Sequence, residues 1–122
     1  MQLVVFEYLD AEESEVIIQL TDGEISLLAY SYPFQQPANP NDVELFSFLT
    51  ENIVREHEFS VPIKTNASCF SYHLTARVVD RSECLVQVKN IKIILDTWIP
   101  GDIQNGEYIS FDVGRLDFDT DE

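Results

Sequence analysis

The stretch from Arg77 to Phe118, RVVDRSECLVQVKNIKIILDTWIPGDIQNGEYISFDVGRLDF, constrains the fold of this chain more than any other. Apolar residues recur at every second position, as Ile91, Ile93 and Leu95 and again as Ile109, Phe111 and Val113. Side chains two apart share a face only in a β-strand, so both runs predict strands. Between them, Pro100-Gly101 and Asn105-Gly106 mark places where the backbone turns, and Gly114 is placed to allow a bulge in the last strand.

The same grammar runs through the rest of the chain. Leu3 to Leu9 is rich in β-branched and aromatic residues and predicts a first strand, ended by the acidic run Asp10, Glu12, Glu13 and Glu15. Asp22-Gly23 is a favoured two-residue hairpin loop. With Thr21 facing Glu24, Leu20 faces Ile25, Ile18 faces Leu27 and Val16 faces Ala29, so that one face is apolar throughout. Beyond it, Leu28, Tyr30 and Tyr32 place large side chains on the other face, as in a strand that bends to close a barrel. PFQQPANPN, from Pro33 to Asn41, is a surface loop because its three prolines lack backbone donors. Phe34 either joins an aromatic contact site at the base of that loop or pins the loop to the core.

Over Val43 to Ile53, a cap at Asn41 or Asp42 and the stripe Val43, Phe46, Leu49 and Ile53 predict a short helix, against a competing alternation of Val43, Leu45, Ser47 and Leu49. From His57 to Lys64 the pattern predicts an edge strand with Phe59, Val61 and Ile63 inward. Asn66 to Ser68 reads as a turn. From Cys69 to Val79, Phe70, Tyr72, Leu74, Ala76 and Val78 fall on one face, and a turn over Asp80 to Glu83 returns the chain into Leu85 to Val88. That hairpin sets Cys69 and Cys84 roughly 30 Å apart along paired strands, too far for a disulfide. Two free thiols fit a reducing, cytoplasmic setting, as does an N-terminus with no cationic segment ahead of its apolar run.

The expected fold is therefore all-β and mainly antiparallel: seven or eight short strands in a small OB-like barrel, closed or partly open, with one short helix mid-chain. A β-sandwich is the alternative. Residues 1–118 form one domain in this reading, and the acidic tail 119–122 frays. The segment IPGDIQNGEYISFDVGRLDF, Ile99 to Phe118, resembles the C-terminal part of a group of small acidic bacterial proteins of unknown function with OB-like barrels. The resemblance implies a fold and a bacterial origin, and it implies no activity and no site residues.

With 22 acidic against 7 basic residues, the formal charge of -15 repels phosphate backbones and anionic membranes. Neither nucleic acid nor membrane is expected as a partner. Single-stranded nucleic acid binding, a habit of the OB fold, has only those seven cations to follow a backbone. Catalytic grammar is absent too. No G-x-S-x-G occurs, the four glycines stand singly, and four residues beyond His57-Glu58 comes Val61 where a zinc-binding motif needs histidine. Asp117, Asp119 and Asp121 imitate the opening of a calcium loop, but its turn glycine and closing glutamate are missing. No enzyme, cofactor or metal is expected.

These exclusions leave contact with another protein as the expected function. The chain acts as part of a homo-oligomer, or as an acidic inhibitor of the immunity type against a basic partner. Candidate contact residues are Tyr30, Tyr32, Phe34 and Trp98 with the acidic Glu12, Glu13 and Glu15. From a different class, a barrel stacking a small molecule or carbohydrate on Tyr30, Tyr32, Tyr72 or Trp98 is the alternative.

Overall fold

A computed structural model describes residues 1–65 and 71–118. Its first three strands form a meander: β1 (Gln2–Asp10), β2 (Glu15–Thr21) and β3 (Ser26–Ser31). Leu20 lies opposite Leu27, Ile18 opposite Ala29 and Val16 opposite Ser31. The register thus differs by two residues from the two-residue loop expected at Asp22-Gly23. Asp22 is the cause. Its carboxylate accepts from the N–H groups of Glu24 at 2.8 Å and Ile25 at 2.9 Å, and its own N–H donates to the Ile25 carbonyl at 3.2 Å. The loop therefore holds four residues, with Ile25 buried inside it. A slip of two preserves side-chain parity, so Val16, Ile18 and Leu20 still face the core.

The helix expected over Val43 to Ile53 is not formed. β4 (Glu44–Phe48) and β5 (Glu51–Glu56) occupy the segment, and no α-helix occurs among the described residues. The competing alternation prevails as far as Ser47, whose polar side chain has a partner: Val43, Leu45 and Ser47 are buried, and the Ser47 hydroxyl accepts from the Asp96 N–H at 3.0 Å, whereas Leu49, the last member of the expected row, is 65% exposed. Ahead of β4, Asn39 rather than Asn41 caps a 3₁₀ turn, Pro40–Asp42.

The remaining strands are β6 (Ile63–Lys64), β7 (Tyr72–Asp80), β8 (Leu85–Val88), β9 (Ile91–Ile94), β10 (Tyr108–Val113) and β11 (Arg115–Phe118). β7 buries Tyr72, Leu74, Ala76 and Val78, and β10 buries Ile109, Phe111 and Val113, as their alternation predicts. The strand expected from His57 shrinks to the two residues of β6. Phe59 packs against the core, but Val61 and Ile63 are 66% and 54% exposed: Val61 lies before the paired residues, and Ile63 pairs at the sheet's margin without entering the core. The turn at Asn66 to Ser68, together with Cys69, Phe70 and the tail 119–122, lies outside the described residues. Cys84 is a buried free thiol.

All eleven strands belong to one mixed sheet, in the order β1-β2-β3-β11-β4-β9-β8-β7-β10-β5, with β6 beside β7. The ladders β3/β11 and β4/β9 are parallel and the others antiparallel. The closed barrel of the sequence reading is not observed. Its two end strands, β1 and β5, share no ladder, and a single sheet also differs from a two-sheet sandwich.

Two kinked segments give the sheet its shape. β4 and β5 pair with β11 and β10 respectively, and the ribbon bends where Leu49 (φ 59°) faces Gly114, whose N–H donates to the Phe48 carbonyl at 2.9 Å. Beyond the bend each half has its own neighbours. The upper half runs between β3 and β9, and the lower half lies beside β7. Asp96 fixes the corner, accepting from the N–H of Leu49 at 2.8 Å and of Thr50 at 3.3 Å. No described helix is long and apolar enough to cross a membrane.

Candidate functional site

The register places one row of side chains across the outer face of the sheet. Asp117 on β11 lies between Tyr30 on β3 and Phe46 on β4, with Ile17 of β2 beyond Tyr30 and Ile94 of β9 beyond Phe46. Two residues along β11, Arg115 lies opposite Phe48. Alternation along each strand sends these side chains to one face, opposite the buried Leu45, Leu116 and Ala29.

Ion pairing and ring contacts knit that row together. The Arg115 Nε and Nη2 donate to the two Asp117 carboxylate oxygens at 2.7 and 3.1 Å. Its guanidinium carbon stands 4.9 Å from the Tyr30 ring centre and 5.0 Å from that of Phe48, within cation–π range of both. The Tyr30 hydroxyl donates to Glu15 at 2.5 Å. That bond, with burial and the Glu15 charge, holds the phenol up at about 12 against an ordinary 10.0. Phe46, Phe48 and Tyr32 remain 36%, 46% and 55% exposed, so a large part of the aromatic face is open to solvent.

Two cavities adjoin on this face and share Phe46 and Phe118 as walls. One, of about 250 Å³, is bounded by Tyr30, Tyr32, Phe46, Asp117 and Phe118. The other, of about 490 Å³, is lined by the loop from Gln35 to Asn39 and by Asp42, Val43, Glu44, Phe46 and Phe118. The proline-rich loop is thus a wall of the site, and two contacts hold it there. The Phe34 N–H donates to the Ser14 carbonyl at 2.8 Å, and the Phe34 ring tilts against Phe118 with centres 6.0 Å apart.

Of the residues singled out from sequence, the fold brings Tyr30, Tyr32 and Glu15 onto one face. Phe34 is half-buried and anchors the loop against the core. Glu12 and Glu13 are exposed in the β1–β2 turn, where both N–H groups donate to Asp10. The Phe34–Ser14 bond ties that turn to the base of the loop. Trp98 stands apart: it is 79% exposed in the connection after β9 and lines none of these cavities. Tyr72 is buried, and its hydroxyl accepts from the Leu28 N–H at 3.0 Å, which removes it as a stacking surface.

Sequence reasoning missed Phe46, Phe48, Arg115 and Asp117. The signal for the first two was present, since a strand reading of Val43, Leu45 and Ser47 sends Phe46 and Phe48 to the opposite face. Arg115 and Asp117 gave none, because their setting depends on a parallel ladder between segments near the two ends of the chain.

A second polar group joins three strands near the bend. Asp112 of β10 accepts from the Asn52 side-chain amide of β5 at 2.9 Å, and its carboxylate lies 2.7 Å from His73 Nδ1 of β7. The Asn52 bond and then the His73 bond hold Asp112 below the usual aspartate value. No cluster of three or more metal-ligating side chains occurs among the described residues. Comparison with protein families, with curated proteins and with solved structures finds no match to this chain.

Proposed function

We propose that this protein is a noncatalytic interaction module that docks a basic protein on the outer face of β3, β11 and β4. The supporting observation is the combination found there. Open aromatic side chains stand beside Glu15 and Asp117, next to the exposed acids of the β1–β2 turn, on a chain of net charge -15. Aromatic residues are enriched at the centres of protein interfaces, and a concentrated negative field steers a cationic partner to them. An acidic inhibitor of a basic target fits this arrangement better than a homo-oligomer, because two copies repel each other. The resemblance of Ile99–Phe118 extends the proposal to an OB-like lineage, and the bend shared by the two kinked strands agrees with the curvature of that fold.

The test is affinity capture in low salt with the wild-type chain beside a Tyr32→Ser/Phe46→Ser variant, followed by a high-salt wash. A basic protein held by the wild type, released by salt and missing from the variant supports the proposal. Identical retention by both chains overturns it. On the captured partner, Glu12→Lys/Glu13→Lys should slow association at low salt with little change in dissociation.

One observation favours a second reading, a pocket for a small molecule or carbohydrate. Gln35 and Gln36, whose amide side chains can both donate and accept hydrogen bonds, line the larger cavity together with Phe46, and paired hydrogen-bonding groups with an aromatic surface suit a sugar. Aromatic chemical shifts of Phe46 across a sugar panel test it. Trp98 fluorescence is the wrong reporter, since Trp98 lies outside both cavities.

A further inference from the structure

We propose that the cavity walled by Tyr30, Tyr32 and Phe46 and floored by Asp117 receives the cationic end of a lysine or arginine side chain of the partner. This rests on the basic-partner reading and adds to it the group recognised and the residues that recognise it.

Four aromatic residues, Tyr30, Tyr32, Phe46 and Phe118, and one acidic residue, Asp117, bound a space of about 250 Å³, the share of liquid that about eight waters occupy. That accommodates an ammonium or guanidinium head with part of its alkyl stem. Every charged acceptor close by is negative: Asp117 is 30% exposed at the floor, and Glu15 is bonded to the Tyr30 hydroxyl. Carboxylates accept hydrogen bonds and donate none, and the neighbouring Arg115 already gives its Nε and Nη2 donors to Asp117, so an anionic ligand is offered little here. A cation is offered aromatic side chains and a carboxylate. Donation of the Tyr30 hydroxyl to a carboxylate polarises that ring toward phenolate, which strengthens the negative face it turns to a cation.

The chain itself supplies the precedent. Arg115 already uses this chemistry, with its guanidinium between Tyr30 and Phe48 and its two donors on Asp117. That pair uses one acceptor direction on each Asp117 oxygen, and a carboxylate offers about four in all. An incoming cation therefore shares Asp117 with Arg115 and is weakened by it. Two opposite effects follow: removing the Asp117 charge lowers affinity, and removing the Arg115 charge raises it. A purely apolar groove shows neither.

The experiment is an NMR titration of the full chain with the peptide N-acetyl-Gly-Lys-Gly-amide, and with its ε-acetylated form, which is neutral. Saturable shifts at Tyr32, Phe46 and Asp117 are expected with the lysine peptide at millimolar concentrations, with affinity roughly tenfold lower for the acetylated one. Asp117→Asn should weaken the lysine peptide several-fold and Arg115→Gln should tighten it. Equal shifts with both peptides, or none at these residues, overturn the inference. If the peptide fails while capture of a basic protein still depends on Tyr32 and Phe46, the cation site is wrong and the docking face stands. Failure of both removes the face as well.

Discussion

Replacing Gly114 by alanine tests the bend that separates the aromatic face from the lower half of the ribbon. An added Cβ stands 3.1 Å from Leu49 Cδ1, 3.2 Å from Leu49 Cβ and 3.5 Å from the Phe48 carbonyl oxygen. Carbon atoms settle about 3.5–4.0 Å apart, so both Leu49 contacts are too close. Cδ1 can swing away, since Leu49 is 65% exposed, but Cβ is fixed to the backbone. That backbone has little room to yield: Leu49 holds a φ of 59°, its N–H is bound to Asp96 at 2.8 Å, and Gly114 is bound to Phe48 at 2.9 Å. Overpacking of this kind costs about 1–3 kcal/mol, and the reduced freedom of the unfolded chain offsets about 0.4–1 kcal/mol. A net loss of about 1–2 kcal/mol lowers Tm by roughly 4–8 °C for a chain of this size. In a Leu49→Gly background both crowding atoms are gone, and the same alanine should become neutral or slightly stabilising. Urea unfolding of the four chains measures the coupling. An equal effect of the alanine in both backgrounds refutes the argument.

Asp96→Ala leaves the Leu49 and Thr50 N–H groups without their acceptor, and should lower stability in urea unfolding by about 1–2 kcal/mol. Asp96 and Asp22 also titrate below the ordinary 3.8. Burial pushes each upward, but at Asp96 the bonds from Thr50, Leu49 and Ser47, and at Asp22 those from Ile25, Glu24 and Asn90, outweigh it. A depressed folded pKa gives stability that is present above the ordinary value and lost as pH falls through the folded one. Urea midpoints should therefore drop between neutral pH and about pH 2, with a shallower drop in Asp96→Asn. Alkaline titration of the tyrosinate signal should place Tyr30 near 12, moving back toward 10.0 in Glu15→Gln. An unchanged curve contradicts the Tyr30–Glu15 bond.

What the sequence made legible was parity. In β2, β7 and β10 the alternation identified the face that joins the core, although Ile17, Thr75 and Ser110 of the opposite parity are buried as well. Register was harder: a two-residue slip leaves every side chain of the β2–β3 hairpin on its proper face, so the pattern could not separate the two-residue loop from the four-residue loop that Asp22 stabilises. The β4–β5 segment fits both periods because Val43, Phe46, Leu49 and Ile53 lie at helical spacing. Tertiary pairing with β9, β10 and β11 decided it. The same long-range pairing hid half of the candidate site. Tyr30 and Tyr32 were recognisable as large residues on the wrong side of a strand, whereas Asp117 and Arg115 gain their role only when β11 enters between β3 and β4.

Among the described residues, exposed aromatic side chains occur at three separate places: Tyr32, Phe46 and Phe48 on the outer face, Phe6 and Tyr8 on the edge strand β1, and Trp98 in its loop. Hydroxyl-radical footprinting of the complex captured at low salt distinguishes them directly. Protection of Tyr32, Phe46 and Phe48 is expected, with Phe6, Tyr8 and Trp98 oxidised as fast as in the free chain. Protection of the β1 residues or of Trp98, with the outer face still reactive, contradicts the proposed docking face.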